Sequence, residues 1–500
     1  MILLMIVFVI LLLIAKSWIV LVRGSRRINV KGPFPLPVLG NAHLFIAKSS
    51  EFLSLLHKFS LKYGNGNHFR AYFFSTPFVV LSHPKYIEPL LSSTEFITKG
   101  RSYSFLMPWL GQGLLTSTGQ RWKVHRKFLT PAFHYNILHN FLPVFCKNQN
   151  ILTEKLRGLA DGRPLDLFPI VALTALDNVT ESIMGISMNL QTQTKSKYVK
   201  YIEDLSAIVS MRMQIPFLGE DMIFNLLPLK KKQDEAVAYL HQQTNEVIET
   251  RRTELTKINK TSLRGSDDVG ERFKLSIKNK HAFLDLLLLA EMDGKKIDHE
   301  SVREEVDTFM FEAHDTTTTC IVCSLFCLSK YSHVQEKIFE EQKQIFGDDI
   351  YRDPTFSELQ QMKYLDTVIK EVLRLYPSVP LIERRITRDC EIGELKLIKG
   401  TTAMINIFQS QRHPDVFEDP LEFRPERFEG PWTNPFNWLA FSAGVRNCIG
   451  QKFAMMELKV CLSAMFRHFV LLPADIEPEF MADLVLRSKN GVHVKLLQRK

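Results

Sequence analysis

The sequence predicts a mainly α-helical body with small β-sheets, carried behind an N-terminal single-pass membrane anchor. Three observations predict this. Residues 1–14 (MILLMIVFVILLLI) carry no charge, and after Lys16 the apolar run resumes through Val22, giving about 22 residues, enough to cross a bilayer core as a helix. From about residue 84 onward, apolar residues recur mostly at helical spacing. Strand-like stretches are few and short, at 68–82, near 382–406 and near 492–497.

Taken in chain order, the anchor is assigned to residues 1–22. Arg23, Arg26, Arg27 and Lys31 follow it at once, an excess of positive charge that places the rest of the chain on the cytoplasmic side. The apolar run is long and no small-residue cleavage site precedes the basic cluster, so it reads as an uncleaved anchor and not as a secretory signal. Residues 23–40 form a basic and proline-rich hinge, since Pro33, Pro35 and Pro37 fix φ and disfavour helix before them. The body occupies 41–500. Residues 68–82 alternate and are rich in aromatic and β-branched side chains, as in a hairpin. Residues 255–281 are charged and aperiodic and read as a surface loop. A helix is expected over 299–330, capped by Asp298 or Ser301; at about 1.5 Å per residue it is long enough to run through the centre of the fold.

Composition narrows the class further. Hydrophobic residues make up 45% and charged residues 23%, which excludes disordered and collagen-like chains. The formal charge of +9 suits an anionic membrane surface or an acidic protein partner; without zinc-finger spacing or basic heptads, nucleic acid is not an expected partner. Seven cysteines in so long a chain point to a reducing compartment and not to a disulfide framework. Cys320, Cys323 and Cys327 fall in an apolar helical run and are expected to pack in the core. Asn178 and Asn259 stand in glycosylation triplets, which should stay unmodified on the cytoplasmic side. Gly111-Gln112-Gly113 lacks the third glycine and the strand context of a dinucleotide loop.

The run with the clearest chemistry is Phe441-Ser442-Ala443-Gly444-Val445-Arg446-Asn447-Cys448-Ile449-Gly450. Cys448 stands just before a helical pattern, whose N-terminal amides would favour the thiolate. Gly444 and Gly450 allow a tight turn and close approach of a flat ligand. Arg446 can reach an anionic group at that ligand's edge. Every defined position of this run resembles the haem-binding signature of the cytochrome P450 superfamily, the haem-thiolate monooxygenases.

Further resemblances lie in order along the chain. Glu371-Val372-Leu373-Arg374 and Pro425-Glu426-Arg427-Phe428 are similar to two family segments, which implies a structural trio of Glu371, Arg374 and Arg427. Trp122 and Arg126, with Arg384 and Arg446, occupy the places of haem-propionate ligands. The stretch Glu312-Ala313-His314-Asp315-Thr316-Thr317 resembles the oxygen-activating helix. It implies Thr316 beside the oxygen site and Asp315 relaying protons from water, while Ala313 stands where glycine is common. The stretches 305–312 and 109–116 resemble family 4, the fatty-acid ω-hydroxylase-like members of microsomal type. Many of these join a glutamate to a haem methyl by an ester, which Glu312 would form here; the alternative is an ion pair with a nearby arginine.

The resemblance implies the cytochrome P450 fold and one haem b, with iron held by Cys448 and with Phe441, Gly444 and Gly450 around the cofactor. It implies insertion of one oxygen atom from dioxygen into a C–H bond of a small apolar substrate, most simply at the terminus of a fatty acid or related lipid. Hormones, hydrocarbons and foreign compounds are alternatives within the same chemistry. A haem carrier without turnover and a lipid-peroxide isomerase are alternatives outside it, disfavoured by the retained Asp315–Thr316 pair. Electrons would come from an NADPH-dependent flavoprotein reductase docking on Arg121, Lys123, Lys127, Lys452 and Lys459, with cytochrome b5 as a further donor. The expected location is the endoplasmic reticulum membrane, with the catalytic domain facing the cytoplasm and touching membrane lipid.

Overall fold

The computed structural model describes residues 2–192, 196–262, 283–292, 295–430 and 434–499. The helices that position the site are α1 (Ile2–Arg27), α2 (Gly119–Leu129), α3 (Phe168–Ser182), α4 (Lys197–Gln214), α5 (Pro228–Ser262), α6 (His299–Ser329), α7 (Lys363–Leu375) and α8 (Gln451–His468). The strands are β1 (His68–Phe73), β2 (Thr76–Leu81), β3 (Asp161–Asp166), β4 (Leu381–Arg385), β5 (Thr402–Asn406), β6 (Phe469–Pro473), β7 (Phe480–Ala482), β8 (Leu486–Ser488) and β9 (His493–Gln498).

Helix α6 begins where the sequence places it. The Asp298 carboxylate accepts from the Ser301 backbone N–H at 2.8 Å, satisfying one of the free donors of the first turn. The helix is buried along almost its whole length, with α3 on one side and α8 on another. Its polar residues remain compatible with burial because their hydroxyls bond back to the carbonyl four residues earlier. Thr308, Thr316, Thr317, Thr318 and Ser324 all do so. Cys320, Cys323 and Cys327 are buried in the large apolar core that α6 shares with α3 and α8.

The strands form a separate wing. β1 and β2 make the expected hairpin, with Phe73 opposite Thr76, and β2 pairs in parallel with β5, which pairs antiparallel with β4. A second sheet joins β6, β9 and β3. Val79, Leu81, Ala403 and Ile405 alternate onto one face of the first sheet and build their own apolar cluster. β4 thereby carries Glu383 and Arg384 to the edge of the central cavity.

Several expectations change here. Helix α1 runs on to Arg27, so residues 23–27 are helical and not part of a hinge, and Ile28 and Val30 pack into the first sheet's cluster. Among the described residues no helix is long and apolar enough to cross a membrane. The anchor assigned to 1–22 falls partly on residues outside those whose side chains are described, namely 1, 3, 6, 7, 10 and 13. Helix α5 reaches Ser262, so the start of the expected 255–281 loop is helical, and 263–281 lie outside the described residues. Asn178 is buried and donates to Glu457 at 2.8 Å, so burial alone excludes its glycosylation; the Asn259 side chain lies outside the described residues.

Candidate active site

The Cys448 loop is built by backbone geometry. Gly444 has φ of +70°, and a Cβ there would lie 1.8 Å from the Leu91 carbonyl oxygen. Gly444 is therefore required by close approach to the helix Pro84–Ser92 and does not line the cavity, contrary to the expected contact with a flat ligand. The Cys448 N–H donates to the Phe441 carbonyl at 2.9 Å, closing the loop. Arg126 of α2 clamps it by donating to the Asn447 carbonyl and side-chain oxygen at 2.7 and 2.8 Å. Gly450 caps α8.

Cys448 is exposed, and its sulfur opens onto a cavity of about 220 Å3. The dense protein around the thiol pushes it up to about 12, Glu312 adds to the rise, and the Gly450 N–H and Arg126 oppose it. The Gly450 N–H at the start of α8 favours the thiolate, as a bound metal cation would.

Around the same cavity stand Trp122, Arg126, Arg446, Glu312, Phe441, Ile449 and Gly450. Arg446 lies over the Trp122 ring at 4.7 Å and donates to the carbonyls of Ile97, Ser117, Leu114 and Leu115. Burial and the neighbouring Arg384 depress it to about 9. Arg384 itself is buried beside the cavity without lining it, and donates to the Glu383 carbonyl at 3.0 Å.

Sequence reasoning missed Lys99, which lines the cavity with its Nζ 4.4 Å from the centre of the Tyr103 ring. Burial, Arg446 and Arg384 hold Lys99 far below the usual lysine range. No local spacing marks it, because the link that brings Lys99 beside Arg384 is a backbone bridge between distant parts of the chain. Three cationic side chains, Lys99, Arg126 and Arg446, thus line one wall, with Arg384 buried just behind it. A flat, dianionic, metal-bearing ligand would satisfy that wall and the cysteine together, so these residues fit haem.

Helix α6 supplies the opposite wall through Phe309, Glu312, Ala313, Thr316 and Thr317. Burial raises the Glu312 carboxyl to about 7, with Lys99 the main opposing influence. The Thr316 hydroxyl donates to the Glu312 carbonyl at 2.7 Å. Asp315 does not line the cavity. Its carboxylate accepts from Arg487 at 2.7 Å on the other side of the helix, since adjacent helical residues point about 100° apart. A relay through Asp315 would have to pass from that side toward Thr316. Glu457, which the sequence reading did not single out, is buried behind Thr317 and accepts from Asn178 at 2.8 Å; burial lifts it to about 8.

The structural trio forms. Glu371 accepts from Arg374 at 2.7 and 2.9 Å, from Arg427 at 3.0 Å and from the Arg424 N–H at 2.8 Å, while Arg374 also donates to the carbonyls of Gln411, Pro420 and Glu422. The proposed docking patch is only partly available. Lys123, Lys127 and Lys452 are exposed, but Lys459 is tied to Asp366 at 3.0 Å and Arg121 to Glu304 at 2.7 Å.

Comparison with known proteins gives one consistent result. The family profile described as Cytochrome P450 matches residues 30–495. The chain is 40% identical over 474 residues to cytochrome P450 4d2 of Drosophila melanogaster, covering 94% of this chain and 93% of that protein. It is 37% identical over 494 residues to cytochrome P450 4c3 of the same organism, covering 95% and 91%. Human cytochrome P450 4V2 is 38% identical over 469 residues, covering 93% and 88%.

Proposed function

This chain belongs to the cytochrome P450 family and is a monooxygenase, and from that premise we propose that it hydroxylates the terminal region of a long apolar chain in fatty acids or related lipids. The observation that carries the reading is the continuity of the cavity. Beyond Thr316 it opens into a second lobe of about 110 Å3, sharing Tyr103, Leu115, Val379 and Ile382 with the first. A chain lying along these apolar walls would present one end beside Thr316.

We assign Cys448 as the iron ligand and Lys99, Arg126, Arg384 and Arg446 as partners of the haem carboxylates. Haem held there supplies activation of dioxygen, with electrons from NADPH through a flavoprotein reductase and with cytochrome b5 as a second donor. The protein's own residues orient the substrate, exclude water and hold protons. Phe309, Ala313 and Val379 keep the inner lobe apolar. Thr316 can accept a hydrogen bond while its proton stays on the Glu312 carbonyl. Glu312, which lines the cavity, would form an ester to a haem methyl, and a fixed cofactor would favour a terminal methyl over weaker internal C–H bonds. An apolar α1 followed by basic residues is consistent with an endoplasmic reticulum anchor and a cytoplasmic body touching lipid.

The test is product analysis by mass spectrometry after incubation with reductase, NADPH and a lipid mixture. Hydroxylation at or next to a chain terminus is expected; oxidation confined to chain interiors, or none, would overturn the reading. A Cys448→Ser protein should lose the red-shifted ferrous carbonyl band.

A further inference from the structure

Terminal oxidation, on the reading above, places the reacting carbon near Thr316 and leaves the substrate's polar end in the outer lobe. The chemistry of that lobe is therefore a statement about the head group. Among the described residues lining it, the free charged side chains are both acids, Glu383 and Asp483; Glu312, assigned above to the cofactor, lies where the two lobes meet. The other polar groups are neutral, namely Ser102, Tyr103, Gln214 and Thr316.

The cations near the lobe are committed elsewhere. Arg487 is paired with Asp315 at 2.7 Å and faces Glu203 at 3.5 Å. Arg212 is held by Asp221 and stacked on the rings of Phe105 and Phe224 at 4.3 and 4.0 Å. Arg101 is paired with Glu220 at 2.6 Å. Lys99, Arg126 and Arg446 line the inner lobe, where they are assigned to the cofactor.

The acids keep free accepting capacity. Glu383 accepts from the Ser102 hydroxyl at 2.8 Å and the Ser102 N–H at 3.2 Å, one bond to each oxygen of a carboxylate that can accept about four. Burial raises Glu383 to about 7 and Asp483 to about 6. A carboxylate entering here would lose its water and find no unpaired cation among the lining residues, each of which costs free energy. A hydroxyl or an amide N–H would instead donate to Glu383 or Asp483.

We propose that the substrate's polar end is a neutral hydrogen-bond donor, a primary hydroxyl or an amide, and not a free carboxylate. The inference rests on the terminal-oxidation reading and narrows it from fatty acids and related lipids to neutral-headed lipids.

Calorimetric titration of the haem-loaded full chain at neutral pH tests this, with 1-dodecanol, dodecanoate and methyl dodecanoate as probes of equal chain length. The expected order is dodecanol tightest, the ester next and dodecanoate weakest, with about tenfold or more between the extremes. Asp483→Lys should tighten dodecanoate and close that gap. Glu383→Gln, nearly isosteric, gives the same direction if the lysine variant fails to load haem. Dodecanoate binding as tightly as dodecanol in the unmodified protein overturns the head-group inference and leaves the apolar-chain reading standing. A gap unchanged by both variants also overturns it, because the acids would not be its cause. Failure of all three probes to bind instead sinks the apolar-chain reading itself.

Discussion

Replacing Gly444 by alanine should empty the enzyme of its cofactor while leaving its helices folded. The magnitude follows from two terms. Residue 444 has φ of +70°, in the left-handed region, where a Cβ costs about 1 kcal/mol. That Cβ would also lie 1.8 Å from the Leu91 carbonyl oxygen, so loop and helix must part by more than an ångström. Neither side yields easily. Leu91 is buried, and the loop is tied by the Arg126–Asn447 bonds and the Cys448–Phe441 backbone bond. A total on the order of 3–5 kcal/mol is expected, concentrated on the segment that carries Cys448. Haem per polypeptide, measured as the pyridine haemochrome, should fall several-fold while far-ultraviolet circular dichroism keeps its helical signal. Gly450→Ala is the control: its φ is negative, and the added Cβ would meet only the Cys448 sulfur, at 3.9 Å, ordinary contact. About 1 kcal/mol or less is expected there. Full haem content and an unchanged melting midpoint in the Gly444→Ala protein would refute the reasoning.

The other predictions concern buried carboxylates. Glu371→Ala leaves the Arg374 and Arg427 charges uncompensated and should destabilise by about 3–5 kcal/mol in urea titration; a loss under about 1 kcal/mol contradicts a bracing role. Glu457 is raised to about 8 from 4.5, so between those values the folded chain holds a proton that the unfolded chain has released, and stability falls as pH rises through that window. Glu457→Gln should remove this slope and gain on the parent protein, by a few kcal/mol at most, above about pH 8; parallel stability curves for the two proteins would count against it. Acidic organic extraction should leave haem on the parent protein and release it fully from Glu312→Ala, whereas complete release from both disproves the ester. Asp315→Asn should slow product formation by about a hundredfold and raise the solvent isotope effect; an isotope effect equal to the parent's removes Asp315 from the proton path.

Local chemistry was legible in the sequence where it depends on neighbours along the chain. The Asp298 cap, the β1–β2 hairpin and the pairing of Glu371 with Arg374 one helical turn apart all follow from short spacings. What escaped depends on contacts between residues far apart in the chain. Lys99 reads as one more solvated lysine until β-pairing sets it beside Arg384. Gly444 reads as a ligand-facing glycine until the helix Pro84–Ser92 is seen against it. Lys459 reads as free charge, although Asp366, on α7, already holds it. Asp315 shows the same limit within a helix: the motif places it next to Thr316, but only tertiary packing brings Arg487 to face it and turns it from the cavity.

The two lobes carry opposite charge, and this bears on direction as well as affinity. Cationic side chains line the inner lobe and acidic ones the outer, with Glu312 and Thr316 belonging to both. With the inner cations taken by the cofactor, the field left along the cavity is that of the acids at its far end. A molecule with one donor group and one apolar chain then has a single favourable orientation, donor outward and methyl inward. The reversed orientation would place the polar group among Phe309, Ala313 and Val379, exchanging the carboxylates of Glu383 and Asp483 for the single hydroxyl of Thr316, at a cost of about 1 kcal/mol. That difference corresponds to roughly a 5-fold preference for presenting the hydrocarbon end beside Thr316. Selectivity for a chain terminus can thus arise from the placement of Glu383 and Asp483 at the far end, without any group that recognises a methyl.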